Sequence, residues 1–393
     1  MGRIDTLINE LCPEGVEFKN LGEICSIKGR IGFRGYTRND QVNEGEGALS
    51  LSPSNIQDGQ IDYSKGTYIT WAKYEESPEI MTFNGDIIFC KTASVGKVAL
   101  VKNLPYKATI NPQLVVLKNI QCNVSYLAYV LGTDAIQSRV ISMAGVGSVP
   151  NISQKALSEL EIPLPPLPIQ EEIVRILDTF TELQAELQAE LQARLLQYQY
   201  YRDQLLSFDG REDIKWKKLG EVCELGTGSH NTQDGLKEGK YTFYTRGSEV
   251  LYLNDYDFDE TAIITAGDGA GVGKVFHFVQ GKYALHQRAY RIVPDINKVL
   301  PRYVYYYFGA TFYNYIMKSS VSSSVVSIRK PMMVDFPIPI PTISEQQRIV
   351  STLDKFDTLV NDLSQGLPAE IEARRQQYEY YRDKLLTFKR KKA

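Results

Sequence analysis

No run of the chain approaches the ~18–20 consecutive apolar residues that a membrane-spanning helix needs. The opening MGRIDTLINELCPEG sets Asp5, Asn9 and Glu10 where a secretion signal requires an apolar centre, so a cytoplasmic protein is expected. Histidine is scarce: His230, His277 and His286 are all there are, and no H-x-x-x-H spacing joins them. The cysteines, Cys12, Cys25, Cys90, Cys122 and Cys223, are odd in number and form no C-x-x-C pair. That excludes a disulfide framework and a zinc ribbon, and no metal is expected. An excess of one charge is missing as well, since 44 basic residues against 47 acidic ones leave −3 at pH 7 and no global pull toward nucleic acid. What is present is ordinary globular material, 43% hydrophobic and 23% charged, with one oddity: 25 tyrosines against two tryptophans. At ~100–200 residues per domain, 393 residues suggest two domains.

The chain is written twice. VEFKNLGEIC (16–25) returns as IKWKKLGEVC (214–223), and VGKV (95–98) returns at 272–275. IPLPPLPIQEEIVRILDTFTEL (162–183) returns as IPIPTISEQQRIVSTLDKFDTL (338–359) at an offset of 176. QYQYYRDQLLSF (197–208) returns as QYEYYRDKLLTF (377–388) at 180, with nine of thirteen positions identical over 196–208. A period near 200 residues means a tandem pseudo-dimer and not a solenoid.

Each copy holds a head and a helix. The heads carry short apolar runs broken by Gly, Asn and Pro: GDIIFCKT, KVALVKN and PQLVVLKN, then TAIITAGDG, GKVFHFV and AYRIVP. These read as strands of a mixed α/β domain, with helical patches near 124–140 and 301–318. Pro-rich IPLPPLP (162–168) and FPIPIPT (336–342) end the heads. Beyond the first, Ile173, Ile176, Leu177, Phe180, Leu183, Leu187, Leu191, Leu195, Tyr198 and Leu205 recur at helical spacing with no Gly or Pro from 170 to 206. The second copy offers Ile349, Leu353, Phe356, Leu359, Leu363, Ile371, Tyr378 and Leu385, with Gly366 and Pro368 breaking it in two. Long helices with apolar stripes need partners, and the two most simply pair antiparallel, giving a dumbbell with a pseudo-two-fold axis. The helical parts of the copies agree closely, whereas 30–90 and 228–266 barely align. One machine part is reused with two different heads.

This layout resembles the specificity subunit of type I restriction–modification systems, most nearly the type IC group. The residues that carry the resemblance are IQEEIVRILDTF (169–180), ELQAELQAELQA (182–193), QYQYYRDQLLSF, EQQRIVSTLDKFDTL (345–359) and GLPAEIEARRQQYEYYRDKLLTF (366–388). It implies two target recognition domains, 1–167 and 209–343, each reading half of a bipartite double-stranded DNA site. It implies helical spacers at 168–208 and 344–393, the latter with a basic tail, that dock two methyltransferase subunits, with restriction subunits joining further out. The chain itself would perform no chemistry and bind no cofactor; S-adenosylmethionine, ATP and magnesium are expected on the partners. A coiled-coil scaffold or adapter with protein-binding heads, and a stand-alone DNA-binding regulator, are the alternative readings.

The residues bear on these implications directly. An adenine methyltransferase needs an [ND]-P-P-[YF] segment for the flipped base, and the nearest approach, Asn111-Pro112-Gln113-Leu114, lacks the second proline and the aromatic. GDGAGVGK (267–274) fails as a P-loop: Asp268 occupies the first glycine position and Val275 the Ser/Thr position, so a strand-to-strand turn is expected. Charge is uneven. Residues 170–208 carry three basic and seven acidic residues, and 344–388 carry six and eight, so the helices are acidic and the heads near neutral. Phosphate neutralisation drives DNA affinity, so the chain alone should bind DNA weakly, with partners completing the clamp.

Base reading needs Arg, Lys, Asn, Gln or Ser on loops facing the groove. Head one offers Arg30, Arg34, Arg38, Lys91, Ser148 and Asn151; head two offers His230, Asn231, Arg246, Gln287, Arg288, Ser322 to Ser324, Arg329 and Lys330. Taken singly, each is better explained as a solvated loop residue. GVGSVPNIS and SSSVVSIRK nevertheless lie at matching places before the Pro boundary. Lys97 and Lys274, at equivalent positions, suit phosphate contacts. On the helices, Tyr200, Arg202, Tyr380 and Arg382 are candidates for partner docking, against plain helix packing. The threefold ELQA either solubilises one helix face or sets the spacing between heads. Each step lengthens a helix by ~6 Å and turns it ~400°.

Overall fold

The computed structural model describes residues 2–32, 35–145, 149–319 and 327–392. Arg34, Ser148 and Ser322 to Ser324 lie outside them. No helix among the described residues is long and apolar enough to cross a membrane. The chain forms two compact units of mixed α and β structure, Met1–Glu186 with Glu372–Ala393, and Leu187–Ile371. Each unit therefore combines one head with helical segments from both copies of the repeat.

In the first unit, Ile87–Cys90 and Leu114–Lys118 run antiparallel at the centre of a four-stranded sheet, flanked by Ser26–Gly29 and Val98–Leu100. These apolar runs do not alternate with polar residues because both faces are covered. Ile87, Phe89, Val115 and Leu117 enter one core, and Ile88, Cys90, Leu114 and Val116 the other. The second core is closed by another four-stranded sheet, ordered Ala108–Ile110, Gly47–Leu51, Thr67–Thr70 and Gln41–Val42. The first core is closed by the helices Val124–Leu131 and Asp134–Met143 and by Ile169, Ile173 and Leu177, a fully buried stripe at four-residue spacing on the long helix.

The second unit repeats the plan with a different outer part. Its single six-stranded sheet runs Cys223–Thr227, Ala289–Pro294, Phe258–Ala266, Phe276–Leu285, Tyr241–Tyr244 and Leu251–Leu253. Every pairing is antiparallel except Tyr241–Tyr244 with Phe276–Leu285. Ile263 and Ile292 face the helix Pro301–Ser319 and the stripe Ile349 and Leu353, while Ala262, Ile264 and Leu285 face a smaller outer core. In both units a short strand before the head pairs antiparallel with the Pro-rich segment after it: Phe18–Asn20 with Glu161–Pro163, and Lys215–Lys218 with Pro337–Ile340.

The long helix is continuous for 39 residues, Leu167–Leu205. Along the ELQA run the leucines turn inward and the glutamates outward, with Leu187 buried and Glu182, Glu186 and Glu190 exposed. The second repeat is broken, with helices Ile343–Asn361 and Leu367–Leu385 separated by a turn. Gly366 makes that turn possible, since a Cβ there would stand 2.4 Å from the Thr358 carbonyl oxygen. Leu363, expected on the apolar stripe, falls in the turn and is 82% exposed. The periodicity overran the break by two residues.

Candidate nucleic-acid interface

The two heads share one construction at the end of their central strand. In the first, Lys91 follows Ile87–Cys90; its N–H donates to the Gln113 carbonyl and its carbonyl accepts from Ile152 N–H, each at 2.9 Å. In the second, Gly267 follows Phe258–Ala266; its N–H donates to the Arg288 carbonyl at 2.9 Å and its carbonyl accepts from Ile328 N–H at 2.8 Å. One antiparallel bridge follows in each, Thr92 with Asn151 and Asp268 with Ser327. The members of both bridges are 176 residues apart, the offset of the repeat itself. The segment that returns toward the helix after each head is thus pinned across the sheet end by the same backbone hydrogen bonds in both halves.

Because backbone makes the scaffold, side chains on it are free to differ. In head one, beside Lys91, they are neutral amides and a hydroxyl. Thr92 Oγ1 donates to Asn151 Oδ1 at 2.8 Å, and Asn111 Nδ2 donates to Gln113 Oε1 at 3.1 Å. In head two they are charged. Asp268 accepts from Arg246 Nη1 at 2.8 Å through one oxygen and from Arg288 Nη1 at 3.0 Å through the other. Burial opposes ionisation of Asp268, but the two guanidinium hydrogen bonds prevail and hold its carboxyl below the usual range. Beside it, Gln287 Nε2 donates to Asn231 Oδ1. His230 lies with Nε2 3.2 Å from Asp257. His286 is buried, and its Nδ1 accepts the Arg288 backbone N–H at 2.9 Å. Burial first, and the neighbouring Arg246 second, push the His286 imidazole below its ordinary range, so it stands neutral with Nδ1 as acceptor.

These geometries sort the sequence candidates. Lys91 and Asn151 are brought together in head one; His230, Asn231, Arg246, Gln287 and Arg288 are brought together in head two. Exposed Arg329 and Lys330 follow directly on the pinned Ser327 and Ile328. Arg38 is exposed on a separate short turn, Arg38–Asp40. Arg30 is taken inward: at 6% exposure its guanidinium donates to the Ile110 carbonyl and to Thr109 Oγ1, both at 3.3 Å, and lies 5.3 Å from the Tyr36 ring. A base contact would have to break those bonds. Lys97 and Lys274 are exposed on equivalent turns, where Gly96 and Gly273 have φ of +99° and +68°. The recurring VGKV is therefore a strand-to-strand turn that needs its glycine. Thr92 and Asp257 escaped sequence reasoning, and Asn111, Gln113 and Asp268 entered it only as misfits to enzyme motifs; aligning the heads at offset 176 would have set Thr92 on Asp268.

On the helices the tyrosines divide by face. Tyr198 packs against the core of the second unit and Tyr378 against that of the first. Tyr201 stacks on Phe356 at 5.5 Å, and Tyr381 stacks on Phe180 at 5.6 Å. Tyr200 and Tyr380, 58% and 61% exposed, point away. Arg202 pairs with Asp203. Arg382 is nearly covered and holds Asp134 of its own head at 2.9 Å, as well as Asp383 at 2.8 Å. No three His, Cys, Asp or Glu side chains among the described residues are grouped to hold a metal ion.

The sequence profile of the type I restriction modification DNA specificity domain matches residues 13–197 and again 211–373. The chain is 37% identical over 276 residues to the type I restriction enzyme EcoR124I/EcoR124II specificity subunit of Escherichia coli, covering 61% of this chain and 65% of that protein. It is 32% identical over 262 residues to a putative type I restriction enzyme specificity subunit of Haemophilus influenzae, covering 60% and 66%. The match thus spans a little under two thirds of either relative. A putative type I specificity subunit of Mycoplasma pneumoniae is 27% identical over 351 residues, 82% of this chain and 94% of that one. The fold is shared with the crystal structure of the type I restriction-modification S subunit from M. genitalium, with a TM-score of 0.57 at 17% identity over 95% of this chain and 96% of that one. It is shared equally with a chain from a structural study of complex assembly and conformational transition of the type I R-M system, with a TM-score of 0.59 at 19% identity over 95% and 97%.

Proposed function

The chain belongs to the type I restriction-modification DNA specificity domain family, and from that premise we propose that it is the sequence-recognition subunit of such a complex. Each head reads one half of a bipartite DNA site, and the helices dock two methyltransferase subunits, through which restriction subunits join. The chain is non-catalytic, and S-adenosylmethionine, ATP and magnesium belong to its partners. The observation that carries this reading is the pair of strand ends just described, one backbone scaffold presenting two different polar surfaces. A scaffold protein with two equivalent partners would gain nothing from that difference. Tyr200 and Tyr380, exposed at equivalent positions, are the candidate docking side chains. Near-neutral heads and acidic helices leave most phosphate contacts to the partners.

Modified-base sequencing of DNA from cells expressing this chain with its methyltransferase subunit tests the proposal. N6-methyladenine in one bipartite motif with a fixed gap, lost when the chain is omitted, is the expected result; methylation unchanged by the omission refutes it. The same assay addresses the ELQA run. Deleting 186–189 removes ~6 Å of helix against ~3.4 Å per base pair, so the gap should shorten by about one or two base pairs with both half-sites kept. A changed half-site with an unchanged gap would remove the metric role.

A further inference from the structure

We infer that the half-site read by head two contains G·C pairs contacted by Arg246 and Arg288, with Asp268 as the positioning residue that aims both. The inference rests on the DNA-reading role above and adds to it the chemistry of one half-site. Arg246 lies just beyond the strand Tyr241–Tyr244, and Arg288 just before Ala289–Pro294. They converge on one carboxylate whose side chain is 20% exposed, while their own side chains are 41% and 63% exposed. Each spends one Nη on Asp268. The other guanidinium nitrogens of both make no hydrogen bond among the described residues, so each arginine keeps a fork of donors in a fixed plane.

Charge decides between a phosphate and a base as the target. A phosphate clamp gains from every positive charge, and an aspartate between two arginines removes half of what they supply. Reading a base edge gains from orientation instead: guanine presents O6 and N7 as paired acceptors, matched by a guanidinium held in one plane. Asp268 weakens the first task and serves the second. His286 adds to the aim by accepting the backbone N–H of Arg288 itself. Among the described residues, head one carries no arginine at the corresponding bridge. Thr92, Asn111, Gln113 and Asn151 stand there instead, a different recognition chemistry on the same backbone.

The test uses the full chain expressed with its methyltransferase subunit, read by modified-base sequencing of the wild type and of Arg246→Gln, Arg288→Gln and Asp268→Asn. The wild-type motif should hold G·C pairs in one half-site. Each arginine variant should relax one of those positions, with discrimination falling roughly 5- to 150-fold, the span of one bidentate contact. Asp268→Asn should blur both positions at once. The other half-site and the gap should be unchanged in all three, which also certifies folding and docking. A motif kept intact in the arginine variants, with methylation uniformly reduced, would mean phosphate contact and overturn the inference. So would a wild-type motif without a G·C pair in the half-site that these variants affect, or an Asp268→Asn variant that only lowers yield at every position. A wild type that directs no methylation overturns the recognition role and this inference together; a wild type with a motif and unresponsive variants overturns this inference alone.

Discussion

Where each head meets its helix the two halves of the molecule are nearly superimposable in chemistry, and where each head meets solvent they are not. Tyr126 donates to the Pro163 carbonyl at 3.0 Å, as Tyr303 does to Pro339 at 2.9 Å. Tyr129 donates to Asp178, and Tyr306 to Asp354, both at 2.5 Å. Gln170 and Gln346 are buried and make the same two bonds each. Outside this kernel, head one adds a second sheet and head two extends its first. The difference follows from what each region must satisfy. A head–helix junction buries polar groups, which leaves few arrangements that pair them all. A strand-end loop held by backbone bonds leaves its side chains unconstrained. At the strand ends the side chains diverge where the backbone does not require a particular one; further out the sheets themselves differ.

Removing a junction glutamine should show the largest effect, and the same effect in both halves. Gln170 Oε1 accepts the Asn123 N–H at 3.0 Å, and its Nε2 donates to the Pro165 carbonyl at 2.7 Å. Gln346 does the same to Leu300 N–H and the Pro341 carbonyl, both at 2.9 Å. Alanine at either position leaves a buried donor and a buried acceptor unpaired, at about 1–3 kcal/mol each. Denaturant melts should therefore show a loss of about 2–6 kcal/mol in each variant. A severe loss from one and a trivial loss from the other would show that the junctions are alike in geometry only.

The exposed tyrosines should give a smaller effect, on association and not on folding. Tyr200→Ala and Tyr380→Ala should each weaken binding of the methyltransferase subunit by about 1–2 kcal/mol, roughly 5- to 30-fold, with stability changed by less than about 0.5 kcal/mol. Titration of the subunit onto the full-length variants reads the first quantity and thermal melting the second. Tyr198→Ala and Tyr378→Ala, which empty core positions, should reverse the pattern. Full affinity in both exposed variants would assign docking to another surface.

Legibility in the sequence followed the same division. The repeat, three strands of each central sheet, the long helices and the break at Gly366 could be read from periodicity and offset, because burial on a regular element imposes a pattern; Ser26–Gly29, Cys223–Thr227, Tyr241–Tyr244 and Leu251–Leu253 went unread. Leu363 misled because an apolar side chain in a turn mimics one more helical step. The candidate recognition surface was half legible. Arg246, Arg288, Gln287, Asn231 and His230 carry the residue types that base reading requires, and they do assemble. Arg30 has the right type in an inviting Gly-rich stretch, yet it is buried, because Gly29 pairs with Val115 and the next residue is led toward Ile110. Asp268 was read only as a misfit in a nucleotide-binding motif. An acidic residue that accepts hydrogen bonds from two arginines has no local signature, since its partners lie 22 and 20 residues away in sequence.

The smallest effect is also the most selective, because all three histidines fall in the second unit. Two of them titrate below their ordinary range. His286 is lowered by burial and then by Arg246, and half-buried His277, packed against Tyr244 at 4.9 Å, is lowered by burial. A histidine whose folded pKa lies below the unfolded value of about 6.5 binds its proton more weakly in the native state. Its contribution is fully present above about pH 6.5 and is lost as pH falls through the folded value. Protonated His286 also cannot accept the Arg288 N–H, so the loss should centre on the residues that aim the arginines. Hydrogen exchange at pH 7 and near pH 5.5 should show protection falling at 276–289 in the second unit, with the histidine-free first unit unchanged. His286→Asn, which keeps an acceptor and carries no titrating group, should remove part of that difference. If both units loosen together over this range, carboxylates are responsible, and the halves differ in their strand-end side chains without differing in their response to acid.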